Sequence, residues 1–364
     1  MRSTPWLVPA VLLLAAGVEA QNPYAQQKNQ SIHGIGDILL RYEWTKKIQG
    51  PEGEFDESRY LIEARPGIEA NLGPFVLGVG GQFNYGKDKN YETPLGERPA
   101  IIRDNYKSRD ARLDLYYGKV DAGPLVVEGG RFVMPLLLTE MIWDNDLRPQ
   151  GGAASVELGK GTARFALRGI YATHSHVFED GSTMFGGSAE LTLQGGPNGS
   201  FVVAGSYLEF RDLDTLEPAI VRQNTSVGGL IVSDYRVADA QARLVSAGQM
   251  PVEIVADYCW NTAISENNKG LWLAATFGKV GISRAQLEYT YAKIDKDATV
   301  GAFDTDDFYW ATGWEGHRID LGTSSGRGSS FHVIAQWQRF KDSPDPVVQN
   351  HWVQRYRVEA RYSF

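Results

Sequence analysis

Apolar and polar residues alternate along most of this chain, and the alternation is clearest in its last fourteen residues. From Trp352 to Phe364 the even-numbered positions, apart from Gln354, carry Trp, Tyr, Val, Ala, Tyr and Phe. The odd-numbered positions from Arg355 to Ser363 carry Arg, Arg, Glu, Arg and Ser. Because successive side chains of a strand point to opposite faces, this pattern predicts a strand with one apolar and one charged face.

The same alternation recurs along the chain and predicts sixteen strands. Most of them span about 9–13 residues, which is the length that a tilted strand needs to cross a lipid bilayer. The predicted segments are 38–44, 60–70, 75–85, 109–119, 123–134, 152–158, 161–173, 184–194, 199–210, 235–246, 250–261, 269–279, 282–294, 316–325, 329–340 and 351–364.

The connections between these segments alternate in length, and this alternation indicates the fold. Short, glycine-rich turns alternate with longer connections, which are 47–58, 86–108, 135–151, 174–183, 211–234, 262–268, 295–315 and 341–350. Short periplasmic turns and long extracellular loops are typical of bacterial outer-membrane barrels. We therefore predict an all-β fold, a transmembrane antiparallel β-barrel of about sixteen strands that occupies residues 34–364.

The start of the chain has the pattern of an export signal. Arg2 precedes an apolar run over residues 6–18, and residues 18–20 fit the small-residue pattern of a signal-peptide cleavage site. We expect residues 1–20 to be a signal peptide and the polar segment 21–33 to be a flexible periplasmic lead-in. The predicted location is the bacterial outer membrane.

Composition narrows the function further. The net charge of −8 argues against a nucleic-acid partner, and one cysteine, Cys259, allows no intramolecular disulfide. A closed ladder of strands would satisfy every backbone group in lipid, and sixteen strands would enclose an aqueous channel. The expected partners are therefore membrane lipid and small hydrophilic solutes that diffuse passively through the barrel.

The connection from Leu136 to Gly152 differs from the other long loops because it begins with apolar residues and then becomes acidic. We expect it to fold into the barrel and narrow the pore; an external loop or an interface plug is the alternative. Rings of charge commonly set pore selectivity, although the same charges could merely hydrate the lumen and pair across strands. The predicted constriction and lumen residues are Glu140, Asp144, Asp146, Arg41, Arg65, Arg112, Arg164, Arg168, Arg355, Arg357 and Arg361.

Catalytic and metal-binding patterns are weak in this sequence. Ser324 lies in a G-x-S-x-G run that ends a predicted strand, whereas the motif requires a strand-to-helix turn. His174 and His176 lack a nearby third metal ligand, and the aspartates at 304, 306 and 307, which we place in an external loop, lack the glycine and the distal glutamate of a calcium loop. We expect neither an enzyme nor a metal or cofactor site. The alternative functions are a plugged barrel with an adhesive or structural role and an outer-membrane lipid hydrolase.

Several short motifs resemble a family of bacterial porins. They are residues 130–135 (GRFVMP), 143–147 (WDNDL), 151–153 (GGA), 251–253 (PVE), 260–262 (WNT), 266–270 (ENNKG) and 300–308. The resemblance covers most of the chain after the signal peptide and implies an outer-membrane pore for small hydrophilic solutes. Kinship with general porins further implies a sixteen-stranded barrel, an inward third loop and a homotrimer. The inward loop is short for a constriction loop.

Overall fold

A computed structural model of the protein describes most of the predicted barrel. The described residues are 31–50, 53–86, 109–159, 161–174, 181–195, 199–216, 221–280, 282–305, 307–309, 311–326, 328–341 and 351–364. The expected signal peptide and nearly all of the expected lead-in lie outside them, as do His176 and Asp306.

The described chain forms sixteen long strands and one short hairpin. The long strands are β1 (Ser31–Gly50), β2 (Gly53–Leu72), β3 (Phe75–Gly86), β4 (Arg109–Ala122), β5 (Leu125–Arg131), β6 (Gln150–Leu158), β7 (Ala163–His174), β8 (Thr183–Gln194), β9 (Gly199–Arg211), β12 (Tyr235–Ser246), β13 (Val252–Asn261), β14 (Lys269–Phe277), β15 (Ala285–Ile294), β16 (Trp314–Gly326), β17 (Ser329–Phe340) and β18 (Trp352–Ser363). The hairpin consists of β10 (Ser226–Val227) and β11 (Leu230–Ile231) within the connection between β9 and β12.

The sixteen long strands close into one antiparallel barrel. Each strand pairs with its neighbours in chain order, and β1 pairs with β18 over a register that runs from Asp37 opposite Ser363 to Lys46 opposite Gln354. The backbone of Gly36 also exchanges hydrogen bonds with that of Phe364, at 3.1 and 3.0 Å. The last strand therefore closes the barrel, and the sheet has no free edge that lipid would leave unpaired.

The two faces of the wall follow the sequence alternation. On β1 the side chains of Leu40, Tyr42 and Trp44 are exposed on the outside, whereas those of Glu43 and Thr45 are buried inside. Large apolar side chains are exposed in the same way along the strands around the barrel. An apolar exterior around a polar interior is the arrangement of a transmembrane β-barrel, so the predicted fold class is confirmed.

The first connection differs from the prediction. A long loop over residues 47–58 was expected, but β1 and β2 remain paired as far as Gly50 and Gly53, so this prediction is wrong. The register shifts between Thr45 and Ile48, where Lys47 has a φ of 59° and its backbone N–H donates to Asp56 Oδ1 at 3.1 Å. The bulge changes which face of the strand each residue occupies. The charged residues of this stretch therefore do not continue the alternation.

Much of the buried apolar surface lies inside the barrel. One cluster joins residues of the connections 132–149, 212–234 and 295–313 to inward-facing side chains of the wall. In the described part of the chain, no helix reaches the length and hydropathy that a membrane-spanning helix requires. The inward connections therefore determine how much of the lumen stays open.

Candidate functional site

The segment between β5 and β6, residues 132–149, leaves the wall and enters the barrel. Phe132 and Met141 are 1% and 0% exposed, respectively. The Thr139 hydroxyl donates a hydrogen bond to Asp257 of β13, and Met141 Sδ lies 3.8 Å from Cys259 Sγ on the same strand. Because β13 lies six strands away from β5 around the shorter arc of the barrel, this segment crosses the lumen. Its apolar residues pack inside the barrel, and this explains their presence in a long connection.

Two of the three predicted loop acids contact arginines of the wall. Glu140 Oε2 lies 2.8 Å from Arg318 Nη1 on β16, and Asp146 Oδ1 lies 2.8 Å from Arg65 Nη1 on β2. Asp144 has a different contact: its Oδ1 accepts the backbone N–H of Asp146 at 2.8 Å. Glu140 and Asp146 therefore tie the segment to β16 and β2, which lie four strands apart around the barrel, while Asp144 stabilises the turn that presents Asp146.

A second segment, residues 295–313 between β15 and β16, also folds inward, which differs from the external loop predicted there. Its Asp307 carboxylate contacts three wall arginines: Arg357 at 2.6 Å, Arg318 at 3.6 Å and Arg41 at 3.7 Å. Asp304 is fully buried, so the expected external placement is wrong for Asp304 and Asp307. No group of three or more His, Cys, Asp or Glu side chains placed to hold a metal ion occurs among the described residues.

The two inward segments form one unit with the connection between β9 and β12. The Thr305 N–H donates to the Glu140 carbonyl at 2.9 Å, and the Asp144 N–H donates to the Phe303 carbonyl at 2.8 Å. The Phe303 ring stacks on that of Trp143, with centroids 5.6 Å apart and planes at 7°. From the third connection, the side-chain amide of Asn224 donates to the carbonyls of Lys296 and Thr299 and accepts from the Gly301 N–H. Ring stacking and amide hydrogen bonds thus fix the position of the acids.

The predicted wall arginines divide into two groups. Arg41, Arg65, Arg355 and Arg357 contact the inward segments, and Arg355 does so through the carbonyls of Asp307 and Phe308, each at 3.0 Å. Of the others, Arg112 contacts Gln82, Arg168 contacts Glu190 and Glu157, and Arg164 is exposed near the start of β7. Arg361 contacts Asp37, and its charge also helps to lower the pKa of Asp146. Arg318, which was not among the predicted constriction residues, contacts both Glu140 and Asp307.

The surroundings shift the pKa of the loop acids in opposite directions. Burial raises the pKa of Glu140 above 4.5, and the attraction of Arg318 only partly offsets this effect. Burial would also raise the pKa of Asp146, but Arg65 outweighs it and holds that pKa below its usual range. Asp307 behaves likewise, since Arg357, Arg41 and Arg318 keep its pKa low against burial. Asp146 and Asp307 are therefore charged at neutral pH, and Glu140 is the first of the three to take up a proton on acidification.

Another sequence-level alternative, a nucleophilic Ser324, does not fit its surroundings. Ser324 lies near the end of β16, and β17, which pairs with β16, begins at Ser329. Its hydroxyl donates to the Ser329 carbonyl at 3.2 Å. The strand-to-helix elbow on which a G-x-S-x-G nucleophile depends is absent from this described hairpin.

Solved structures of bacterial porins are similar to this chain. OprB from Pseudomonas putida is 12% identical, with 91% of this chain and 94% of that chain covered and a TM-score of 0.61. OmpF from Salmonella typhi is 12% identical over 93% and 98% of the two chains, with a TM-score of 0.54. An anion-selective porin from Comamonas acidovorans is 12% identical over 92% and 100%, with a TM-score of 0.54.

Sequence comparison gives no such match. No protein-family model matches the chain, and no curated protein matches it. At identities this low, the structural similarity establishes a common fold, whereas function depends on the residues of the site. The predicted resemblance to porins is thus confirmed for the fold: the chain has the porin barrel.

Proposed function

We propose that the protein is a porin of the bacterial outer membrane, a non-enzymatic channel through which small hydrophilic solutes and ions diffuse. The observation that carries the proposal is the segment 132–149, which crosses a polar lumen and whose acids contact arginines of the wall. An apolar exterior fits a lipid environment, and closure of the barrel leaves no strand edge in that environment.

The selectivity of this channel is set where the inward acids oppose the wall arginines. Glu140, Asp146 and Asp307 lie on the inward segments, and their arginine partners lie on β1, β2, β16 and β18. These acids and arginines place fixed charges of both signs along the path, and such charges are a common source of pore selectivity. Asp144 contributes by holding the turn, and Arg41, Arg65, Arg355 and Arg357 form the basic side.

The experiment is ion conductance of the purified, folded protein in planar lipid bilayers. A porin gives stepwise current increases in the absence of any ligand or energy source. Pure, folded protein that inserts without carrying current would reject the proposal. Gel migration of unboiled and boiled samples, combined with cross-linking, tests the further proposal that the channel is a homotrimer.

A plugged barrel with a structural or adhesive role is the second candidate, and one observation favours it. Three connections share an apolar cluster inside the lumen, and Arg355 and Arg357 on the wall are each only 1% exposed. A plug would place the same ion pairs in a closed interior. The conductance measurement separates the two candidates, because a plugged barrel inserts and stays silent.

A further inference from the structure

Aromatic side chains form a band on the outer face of β15, β16, β18 and β1. The rings of Trp44 on β1 and Tyr356 on β18 lie 6.3 Å apart, and both residues belong to the outward-facing set of their strands. The His317 ring of β16 lies 6.1 Å from that of Trp352 and 5.3 Å from that of Tyr291. Long connections join β15 to β16 and β17 to β18 at this end of the barrel. The band is therefore an interfacial aromatic belt at the extracellular side of the membrane.

Two cations of this band lie against its rings. Lys46 Nζ is 3.7 Å from the centroid of the Trp44 ring. On β17, Arg339 stands directly opposite Trp352, and its guanidinium carbon is 5.5 Å from the centroid of that ring. A cation over an indole face is stabilised by the charge distribution of the ring. Both charges are thus held at the level of the aromatic belt, on the outside of the wall.

The band also has more cations than acids. Its strands carry three outward-facing cations and one outward-facing carboxylate, which are Lys46, Lys293, Arg339 and Glu315. Glu315 is contacted by Arg339 Nε at 2.6 Å and by Lys341 Nζ, just beyond β17, at 3.6 Å. Lys46 and Lys293 form no salt bridge with a described residue. The chain as a whole has a net charge of −8, so this local excess of cations runs against its composition.

We propose that the band binds the phosphate groups of the phosphorylated glycolipid that forms the outer leaflet of the bacterial outer membrane. Lysine and arginine N–H groups form strong, charge-assisted hydrogen bonds with phosphate oxygens. The rings beside them suit the boundary between acyl chains and headgroups, which is where the phosphates lie. A second copy of this chain would have to bring its own excess of carboxylates to the band, whereas phosphate is present at this level all around the barrel. The inference rests on the outer-membrane location and not on conduction, so a silent barrel would leave it intact.

The test uses the full, folded protein in detergent, titrated with bisphosphorylated lipid A and followed by microscale thermophoresis. Dephosphorylated lipid A, which keeps the same acyl chains, is the matched probe. Each lysine near an anionic lipid surface contributes roughly a fivefold change in binding. The wild type is therefore expected to prefer the bisphosphorylated lipid by on the order of thirtyfold, and added salt is expected to reduce this preference.

Lys46→Gln/Lys293→Gln is the test variant and is expected to lose most of that preference. Arg211→Gln is the control, because Arg211 is also an outward-facing cation over a ring, 4.7 Å from the centroid of Phe185, but pairs one to one with Glu209. The control is expected to keep the preference of the wild type. Unboiled and boiled gel samples show whether each variant is folded.

Three results would overturn the proposal. Equal affinity of the wild type for the two lipids would show that only the acyl chains are recognised, and this comparison requires no substitution. Equal preference in the wild type and the double variant would place the phosphate contacts elsewhere. A double variant that keeps the lipid preference but no longer cross-links into the oligomer of the wild type would identify the band as a contact between copies of this chain.

Discussion

Asp307 is the acid that holds the second inward segment to the wall. Replacing it by asparagine tests whether its contacts with the wall arginines stabilise the protein. The change removes the carboxylate that faces Arg357, Arg318 and Arg41, while the shape of the side chain is kept. Breaking a buried ion pair on one side costs about 3–5 kcal/mol. The lower end of this range applies, because the Asp307 side chain is 26% exposed and because Arg357 keeps a second carboxylate, that of Glu359, at 3.6 Å.

The expected loss for Asp307→Asn is therefore about 3 kcal/mol, or on the order of a hundredfold in the unfolding equilibrium constant. Urea titration of the protein in lipid vesicles, followed by tryptophan fluorescence, measures it. Asp214→Asn, on an exposed position of the short helical turn at Leu213–Thr215, is the matched control and is expected to leave stability unchanged.

A double-mutant cycle shows whether the loss comes from the pair itself. Arg357→Met removes the charge that Asp307→Asn strands, so the double variant is expected to lose less than the sum of the single losses, with a coupling of about 0.5–3 kcal/mol. Additive losses, or a single variant as stable as Asp214→Asn, would refute the reasoning, because Asp307 would then be screened by solvent and would not bridge the segment to the wall.

Three further outcomes are expected from the inward segments. Asp146→Asn removes a negative charge next to Arg65 and shifts the reversal potential in a salt gradient towards anions; an unchanged potential would take this acid out of the constriction. Because the pKa of Glu140 is raised, its ionisation opposes folding, so lowering the pH from neutrality towards 4.5 stabilises this site and makes the wild type more anion-selective. Glu140→Gln has this anion selectivity already at neutral pH, and its selectivity changes less with pH. Identical pH profiles of selectivity in the wild type and the variant would contradict the assignment of Glu140 to the constriction. Phe303→Ala removes a stacked ring and is expected to cost about 3–5 kcal/mol while raising single-channel conductance, and a variant with unchanged conductance would separate this ring from the pore.

The sequence was sufficient to predict the wall. The alternation with a period of two reflects whether each side chain meets lipid or water, so it can be recognised in a single sequence. It identified sixteen strands and the inward face of β18. Closure of the ladder of strands was expected from the same logic, whereas its register, which begins with Asp37 opposite Ser363, is known only from the structure. The hairpin at residues 47–58 was missed because a bulge interrupts the alternation.

The site was only partly predictable, for a different physical reason. The segment 132–149 was recognisable because apolar residues such as Leu136 and Trp143 are misplaced in an external loop. The segment 295–313 carries the same signal in Val300, Phe303 and Phe308, but its aspartates were interpreted as an exposed loop. Which arginine meets which acid depends on how far each connection reaches across the barrel, and strand periodicity does not encode that distance. Arg318 was therefore left out, although it contacts two of the acids.

The most direct measurement is a comparison of single-channel currents from the wild type and from a variant in which residues 136–147 are replaced by a short Gly-Ser link. If the inward segment narrows an open pore, the wild type conducts steadily and the variant conducts more, with weaker ion selectivity. A silent wild type that begins to conduct only after the replacement would contradict the channel and identify the segment as a plug.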